Sequence, residues 1–133
     1  MSRENVEIVR GLYQAFARGD TETAFAVYAR DIEWDNSSGP AGIGGVYHGH
    51  EGVRMFWHQW LDAWEHVDLD LEELLDAGED VVAVVTQRNR GRSSGIVVEQ
   101  EHAAIWTVRD GKIVRMRVFD NLAAALEFAV LAE

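Results

Sequence analysis

The chain has 133 residues, 47% apolar and 10% aromatic, enough for one folded core, which excludes a disordered tail or a multidomain assembly. Twelve Lys and Arg against 23 Asp and Glu leave a net charge of −11, so phosphate backbones and anionic membranes are repelled, and neither nucleic acid nor a membrane is expected as a partner. The absence of cysteine excludes disulfides, thiolate zinc sites and cysteine nucleophiles; with Arg3, Glu4, Glu7 and Arg10 leaving no apolar signal segment, a soluble, cytoplasmic, one-domain protein is expected.

Val6, Val9, Tyr13 and Phe16 recur at three- and four-residue spacing, which predicts a first helix over Arg3 to Arg18, capped by Ser2 and ended by Gly19. Asp20 or Thr21 caps a short second helix carrying Ala24, Phe25 and Tyr28, and Ile32 to Asp35 reads as a brief extended segment. Asn36 to Gly45, rich in Ser and Gly and holding the only proline, Pro40, reads as an internal loop. Val53, Phe56, Trp57, Trp60, Leu61 and Trp64 then mark a third helix from about Glu51 to Glu65.

Past this point the period changes to two. Val67, Leu69 and Leu71 alternate with acids, Asp76 to Asp80 is a turn, and Val81 to Arg90 is rich in β-branched residues. A turn at Gly91 to Gly95 leads to a strand over Ile96 to Arg109, and Asp110-Gly111 leads to another over Ile113 to Phe119. Leu122 to Leu131 closes the chain as a fourth helix. Helices followed by an antiparallel meander predict an α+β fold with helices against one face of a curved sheet.

A three-residue loop with glycine in the left-handed position pairs Val108 with Lys112, so Trp106 faces Val114, Ala104 faces Met116, His102 faces Val118 and Gln100 faces Asp120. These even positions form the more apolar side, which is expected to meet the helices and to carry His102 and Asp120 into the interior as diagonal neighbours. A histidine beside a carboxylate in apolar surroundings is suited to general acid–base work. Asp120 is equally placed to cap the last helix, and His102 to be a satisfied core histidine.

Asp35, at the start of the glycine loop, is a rim position for a base, in competition with Glu33 and Asn36. Tyr13, Phe16, Trp34, Trp57, Trp60, Trp64 and Trp106 are packing residues by default, yet five tryptophans in so short a chain can enclose a cavity for a flat apolar ligand. Arg88, Arg90 and Arg92 form the one basic cluster, read as a balanced strand end or as a clamp for a carboxylate or enolate oxygen. His48-Gly49-His50-Glu51 lacks a further ligand at zinc-site spacing, and His50 is better placed as the start of the third helix; no metal is expected. Neither a Gly-x-Gly-x-x-Gly strand-to-helix turn nor a Gly-x-Ser-x-Gly elbow is present.

With these residues in place the chain resembles the SnoaL-like branch of the nuclear transport factor 2-like superfamily. The matching phrases are Gly11-Leu12-Tyr13-Gln14-Ala15-Phe16, Tyr28-Ala29-Arg30-Asp31-Ile32-Glu33-Trp34, Tyr47-His48-Gly49-His50-Glu51-Gly52-Val53 and Trp106-Thr107-Val108-Arg109-Asp110-Gly111-Lys112-Ile113-Val114, then Phe119-Asp120 and Ala125-Leu126-Glu127. The resemblance implies a cone-shaped α+β barrel, a curved antiparallel sheet wrapped around the N-terminal helices with a C-terminal helix, a pocket between sheet and helices, and a homodimer. It leaves the activity open, since the fold hosts isomerases, cyclases, dehydratases, epoxide hydrolases and binding modules.

The steroid-isomerase pattern is not reproduced: its tyrosine falls at Leu12, its base at Asn36 and its protonated aspartate at Ala104. The paired aspartates and arginine of the limonene epoxide hydrolases are also missing, Arg117 being expected to point away from the cavity. Similarity to the polyketide cyclases makes His102 and Asp120 the positional candidates for the acidic base and its polar neighbour. The expected function is binding of a small apolar, carbonyl-bearing ring compound, with proton abstraction beside the carbonyl if the protein is catalytic. Asp120 or Asp35 would be the base and His102 the donor to the enolate oxygen, Tyr13, Trp34, Trp57, Trp106 and Met116 would contact the substrate, and no cofactor would be needed. The alternatives are a non-catalytic ligand-binding or dimerisation module, and a protein adaptor using Arg115, Arg117 and Phe119 on the outer sheet face.

Overall fold

The apolar stripe of the first predicted helix is buried: Val9, Leu12, Tyr13 and Ala15 lie in the core of α1 (Ser2–Ala17). The computed structural model describes residues 2–37 and 45–132; the cap expected of the Ser2 side chain and the 38–44 part of the predicted loop, with Pro40, lie outside what is described. Gly19 ends α1 at φ +69°, a left-handed conformation that lets the Asp20 amide donate back to the Ala15 carbonyl at 2.9 Å. Asp20 then caps α2 (Thr21–Ala26), accepting from the Thr23 hydroxyl at 2.6 Å and the Thr23 amide at 3.1 Å. The two bonds hold its carboxyl below the usual range.

The remaining elements are β1 (Tyr28–Asp35), β2 (Val46–His48), α3 (Gly49–Ala63), β3 (Trp64–Ala77), β4 (Asp80–Gly91), β5 (Val97–Arg109), β6 (Lys112–Phe119) and α4 (Leu122–Ala132). The six strands form one curved sheet in the order β2-β1-β6-β5-β4-β3, open rather than closed into a barrel. It is not wholly antiparallel: β1 runs parallel to β6, with Trp34 opposite Met116. No local pattern announces that pairing, because its partners are some eighty positions apart. β2 occupies the stretch between the loop predicted over Asn36 to Gly45 and the third helix, to which no element was assigned from sequence.

The third helix stops at Ala63, short of the expected Glu65, and Trp64 is already extended at φ −123° and ψ 140°. Pairing of Trp64 with Gly91 draws it into β3. Arg92 seals the helix end, its guanidinium donating to the carbonyls of Leu61 at 2.8 Å and Asp62 at 2.9 Å. Among the described residues no helix is long and apolar enough to cross a membrane.

The hairpin joining β5 to β6 corrects the predicted register. Asp110 and Gly111 both have positive φ, 51° and 77°, as a two-residue type I′ turn requires, so Arg109 pairs with Lys112. A bulge follows between Thr107 and Val108. Trp106 consequently faces Met116 instead of Val114, and Ala104 faces Val118 instead of Met116. Because turn and bulge together displace the pairing by two residues, His102, Ala104, Trp106, Met116 and Val118 keep their expected face, whereas at the start of β6 Ile113 takes the inward place expected of Val114.

That face forms the larger core. Val81, Ala83, Val85, Ala104, Trp106, Met116 and Val118 pack against α1, α2 and α3. The helices do not all share it: α4 covers the opposite face, with Ala125 and Phe128 against Val82, Ala103, Ile105 and Phe119. Asp120 does not cap α4; that place belongs to Asn121, whose side-chain oxygen accepts from the Ala124 amide at 2.8 Å. Asn121→Ala is expected to destabilise the fold by about 1 kcal/mol, and Asp120→Asn by less than about 0.5 kcal/mol, in paired thermal unfolding.

Candidate functional site

Strand alternation aims the site. Trp34 from β1, Gln87 from β4, His102, Ala104 and Trp106 from β5, and Met116 and Val118 from β6 point to the concave side. Tyr13 and Phe16 of α1 and Phe56, Trp57 and Trp60 of α3 face them, and a cavity of about 60 Å³ remains between the layers. Its walls are largely aromatic. Trp34 meets Trp57, Trp106 and Tyr28 edge-on at 6.1, 5.6 and 5.8 Å, and Tyr13 meets Trp106 edge-on at 5.8 Å. The Trp106 indole donates to the Tyr13 hydroxyl at 3.1 Å, and burial pushes the Tyr13 phenol well above its usual pKa, so it stays neutral.

Three polar residues interrupt the aromatic lining: His102, Asn36 and Gln87. His102 is 8% exposed, and its Nδ1 has no hydrogen-bond partner among the described residues. Desolvation by the surrounding apolar groups lowers its pKa from 6.5 to about 4, so the ring is neutral at pH 7 and keeps one N–H donor and one lone pair. Gln87 donates to the buried Asn89 side chain at 3.0 Å. Sequence reading passed over both amides, although the alternation Val81, Ala83, Val85 points Gln87 and then Asn89 to the same face.

The expected histidine–carboxylate pair does not form. β6 ends at Phe119, whose partner is Ala103, and Asp120 is exposed beyond the last rung. Asp35 is also outside the cavity, because Trp34 points in and its neighbour must point out. Its carboxylate accepts from the Ser37 amide at 3.0 Å and the Ser37 hydroxyl at 2.5 Å, and pairs with Arg117 at 3.7 Å. Asn36, one residue on, is the side chain that lines the cavity.

Tyr13, Trp34, Trp57, Trp106 and Met116 all line it as well. The basic cluster does not: Arg88 bridges Asp70 and Glu99, and Arg92 caps α3. On the outer face Arg115 pairs with Glu33 at 3.2 Å, Arg117 lies 4.8 Å over the Phe128 ring, and Phe119 packs beneath α4, so the residues of the adaptor alternative are engaged within the chain. His50 contacts the Tyr28 carbonyl at 3.2 Å and the Phe25 ring, and no cluster able to hold a metal occurs among the described residues.

A broader groove of about 1100 Å³ runs outside the cavity between α1, α2, α3 and β3. Phe16, Trp57 and Leu69 line both spaces and so form the partition between them.

The SnoaL-like domain model matches residues 9–116, which covers β1 to β5, α2, α3, parts of α1 and β6, and every cavity-lining position except Val118. The chain belongs to the SnoaL-like family. Relatives similar to this SnoaL-like chain include an uncharacterised protein of Mycobacterium tuberculosis, 29% identical over 124 residues that cover 92% of this chain and 93% of that protein. Among solved structures, TerC, co-crystallised with polyporic acid, is similar at 26% identity and a TM-score of 0.77, over 96% of this chain and 98% of TerC. A nuclear transport factor 2-like protein of Burkholderia thailandensis is similar at 29% identity and a TM-score of 0.77, over 92% of this chain and 95% of that one. These likenesses place the SnoaL-like chain in the nuclear transport factor 2-like superfamily, whose α+β fold it has.

Proposed function

We propose that this SnoaL-like protein binds a small, apolar, carbonyl-bearing ring compound in the aromatic cavity, with the neutral His102 imidazole hydrogen-bonding the carbonyl oxygen. The observation that carries the reading is the buried Nδ1 of His102, unpartnered at the cavity wall. A buried polar atom without a partner costs about 1–3 kcal/mol, and a ligand oxygen would recover that loss. Aromatic walls with a few polar groups are the usual make-up of such sites. The polyporic acid held by TerC supports a small-molecule ligand.

The 60 Å³ void is smaller than the roughly 150 Å³ that accommodates benzene, so a ring enters only if the walls give. Phe16, Trp57 and Leu69, which stand between the cavity and the groove, are the side chains that would have to move to admit it. A panel of flat aryl ketones and lactones, titrated against tryptophan fluorescence, is expected to give saturable one-to-one binding, weakened about tenfold by His102→Leu and unchanged by Asp35→Asn or Asp120→Asn. Absence of saturable binding across the panel would overturn the reading.

A second reading, favoured by the same unpaired nitrogen, is cofactor-independent proton abstraction beside the ligand carbonyl, as in an isomerase or cyclase. No carboxylate among the described residues lines the cavity, so His102 rather than Asp35 or Asp120 would carry the proton. His102-dependent exchange of deuterium into the α-carbon of a bound ketone separates this reading from simple binding.

A further inference from the structure

We propose that the cavity selects by charge, admitting the uncharged form of an oxygenated ring compound and rejecting the corresponding anion. The inference rests on the binding reading above and narrows its ligand class. Among the described residues the buried polar ones are Asn36, Gln87, Asn89, His102 and Thr107, none of which carries a formal charge at neutral pH. Of these, Asn36, Gln87 and His102 line the cavity and Asn89 braces Gln87, so among the described residues a ligand oxygen meets amides and an imidazole but no counter-ion. A carboxylate entering this space would leave its hydration behind and receive only neutral dipoles in return.

The arginines that could have supplied a positive charge are directed elsewhere. Arg115 and Arg117 neutralise Glu33 and Asp35 on the outer face, and Arg88 lies between Asp70 and Glu99. The groove outside the partition repeats the pattern. Its acids are Asp20, Glu22, Asp68 and Asp70, while its two arginines are occupied, Arg18 with Asp20 at 3.3 Å and Arg54 over the Phe25 ring at 4.6 Å and beside Glu51 at 3.8 Å. An anion is therefore opposed at the mouth by the field of a −11 chain and in the cavity by desolvation. The depressed pKa of His102 agrees with this arrangement, since protonation would place a lone cation in the same apolar space.

Acetophenone and benzoate share the ring and differ in charge, and their titration at pH 7.5 against tryptophan fluorescence tests the inference. Acetophenone is expected to bind at least about tenfold more tightly than benzoate, and Gln87→Lys, which introduces a cation into the lining, to narrow or reverse the gap. Equal affinities in the unaltered protein would overturn charge selection while leaving the binding reading in place. Tighter binding of benzoate would overturn it too. Failure of both probes and of the wider ketone and lactone panel would remove the binding reading and this inference with it.

Discussion

Trp106→Ala is expected to destabilise the protein by about 3–5 kcal/mol and to lower its unfolding midpoint by about 10–20 °C. Trp106 is 2% exposed and joins the two layers: its ring abuts Tyr13 at 5.8 Å and Trp34 at 5.6 Å, and its indole donates to the Tyr13 hydroxyl across 93 residues of chain. Truncation removes the ring contacts and leaves the Tyr13 oxygen without this donor, and the void it opens adds to the cavity already there. Trp106→Phe keeps much of the ring and deletes the donor, so its expected loss is smaller, about 1–2 kcal/mol. Chemical denaturation of the two variants against the unaltered chain separates packing from hydrogen bonding. A loss under about 1 kcal/mol for Trp106→Ala would mean that the aromatic cluster does not hold helices and sheet together.

The parts of this architecture written in local periodicity were legible without coordinates. The stripe of α1 and the alternation of Val67, Leu69 and Leu71 in β3 each reflect one buried face, which leaves a period in the sequence, whereas β4 and β5, covered on both faces, were legible from their apolar, β-branched runs. Beyond the start of β6, where Ile113 faces the core in place of Val114, parity survived even a wrong turn assignment, because the Asp110-Gly111 turn and the bulge beside Val108 shift the register by two in total. For the same reason His102 faces inward as expected.

What failed depended on pairing across long stretches of chain or on where a strand stops. The parallel rungs of β1 and β6 and the short edge strand β2 have no local signature, since their partners are set by the whole sheet. The placement of Asp120 assumed that β6 continued one residue past Phe119, whereas the chain turns there so that Asn121 can start α4. Asp35 was already read as the end of the extended segment Ile32 to Asp35, and alternation with its neighbour Trp34 carries its outward direction. Asn36 was weighed only as a competitor of Asp35 at the rim, and Gln87 was missed because an amide carries no charge to draw attention, although that absence of charge is what sets the chemistry of the cavity.

His102→Leu is expected to trade binding for stability, and the trade should depend on pH. In the folded chain the imidazole has a pKa of about 4, against roughly 6.5 when unfolded. Above pH 6.5 it is neutral in both states and contributes no slope. Between 6.5 and 4 the unfolded chain binds a proton that the folded chain does not, so stability falls as the pH falls, by about 3 kcal/mol in all; below 4 both states are protonated and the slope ends. Leucine cannot take up the proton, so the variant lacks this loss, and at pH 7.5 it also gains about 1 kcal/mol by removing the buried nitrogen that has no partner. Urea unfolding of both proteins at pH 7.5, 6, 5 and 4 should therefore show a gap in the variant's favour that widens steadily below 6.5. Parallel curves would mean that His102 is solvated in the folded state. In that event the hydrogen bond assigned to the ligand would lose its physical basis, since a wetted nitrogen has a partner already.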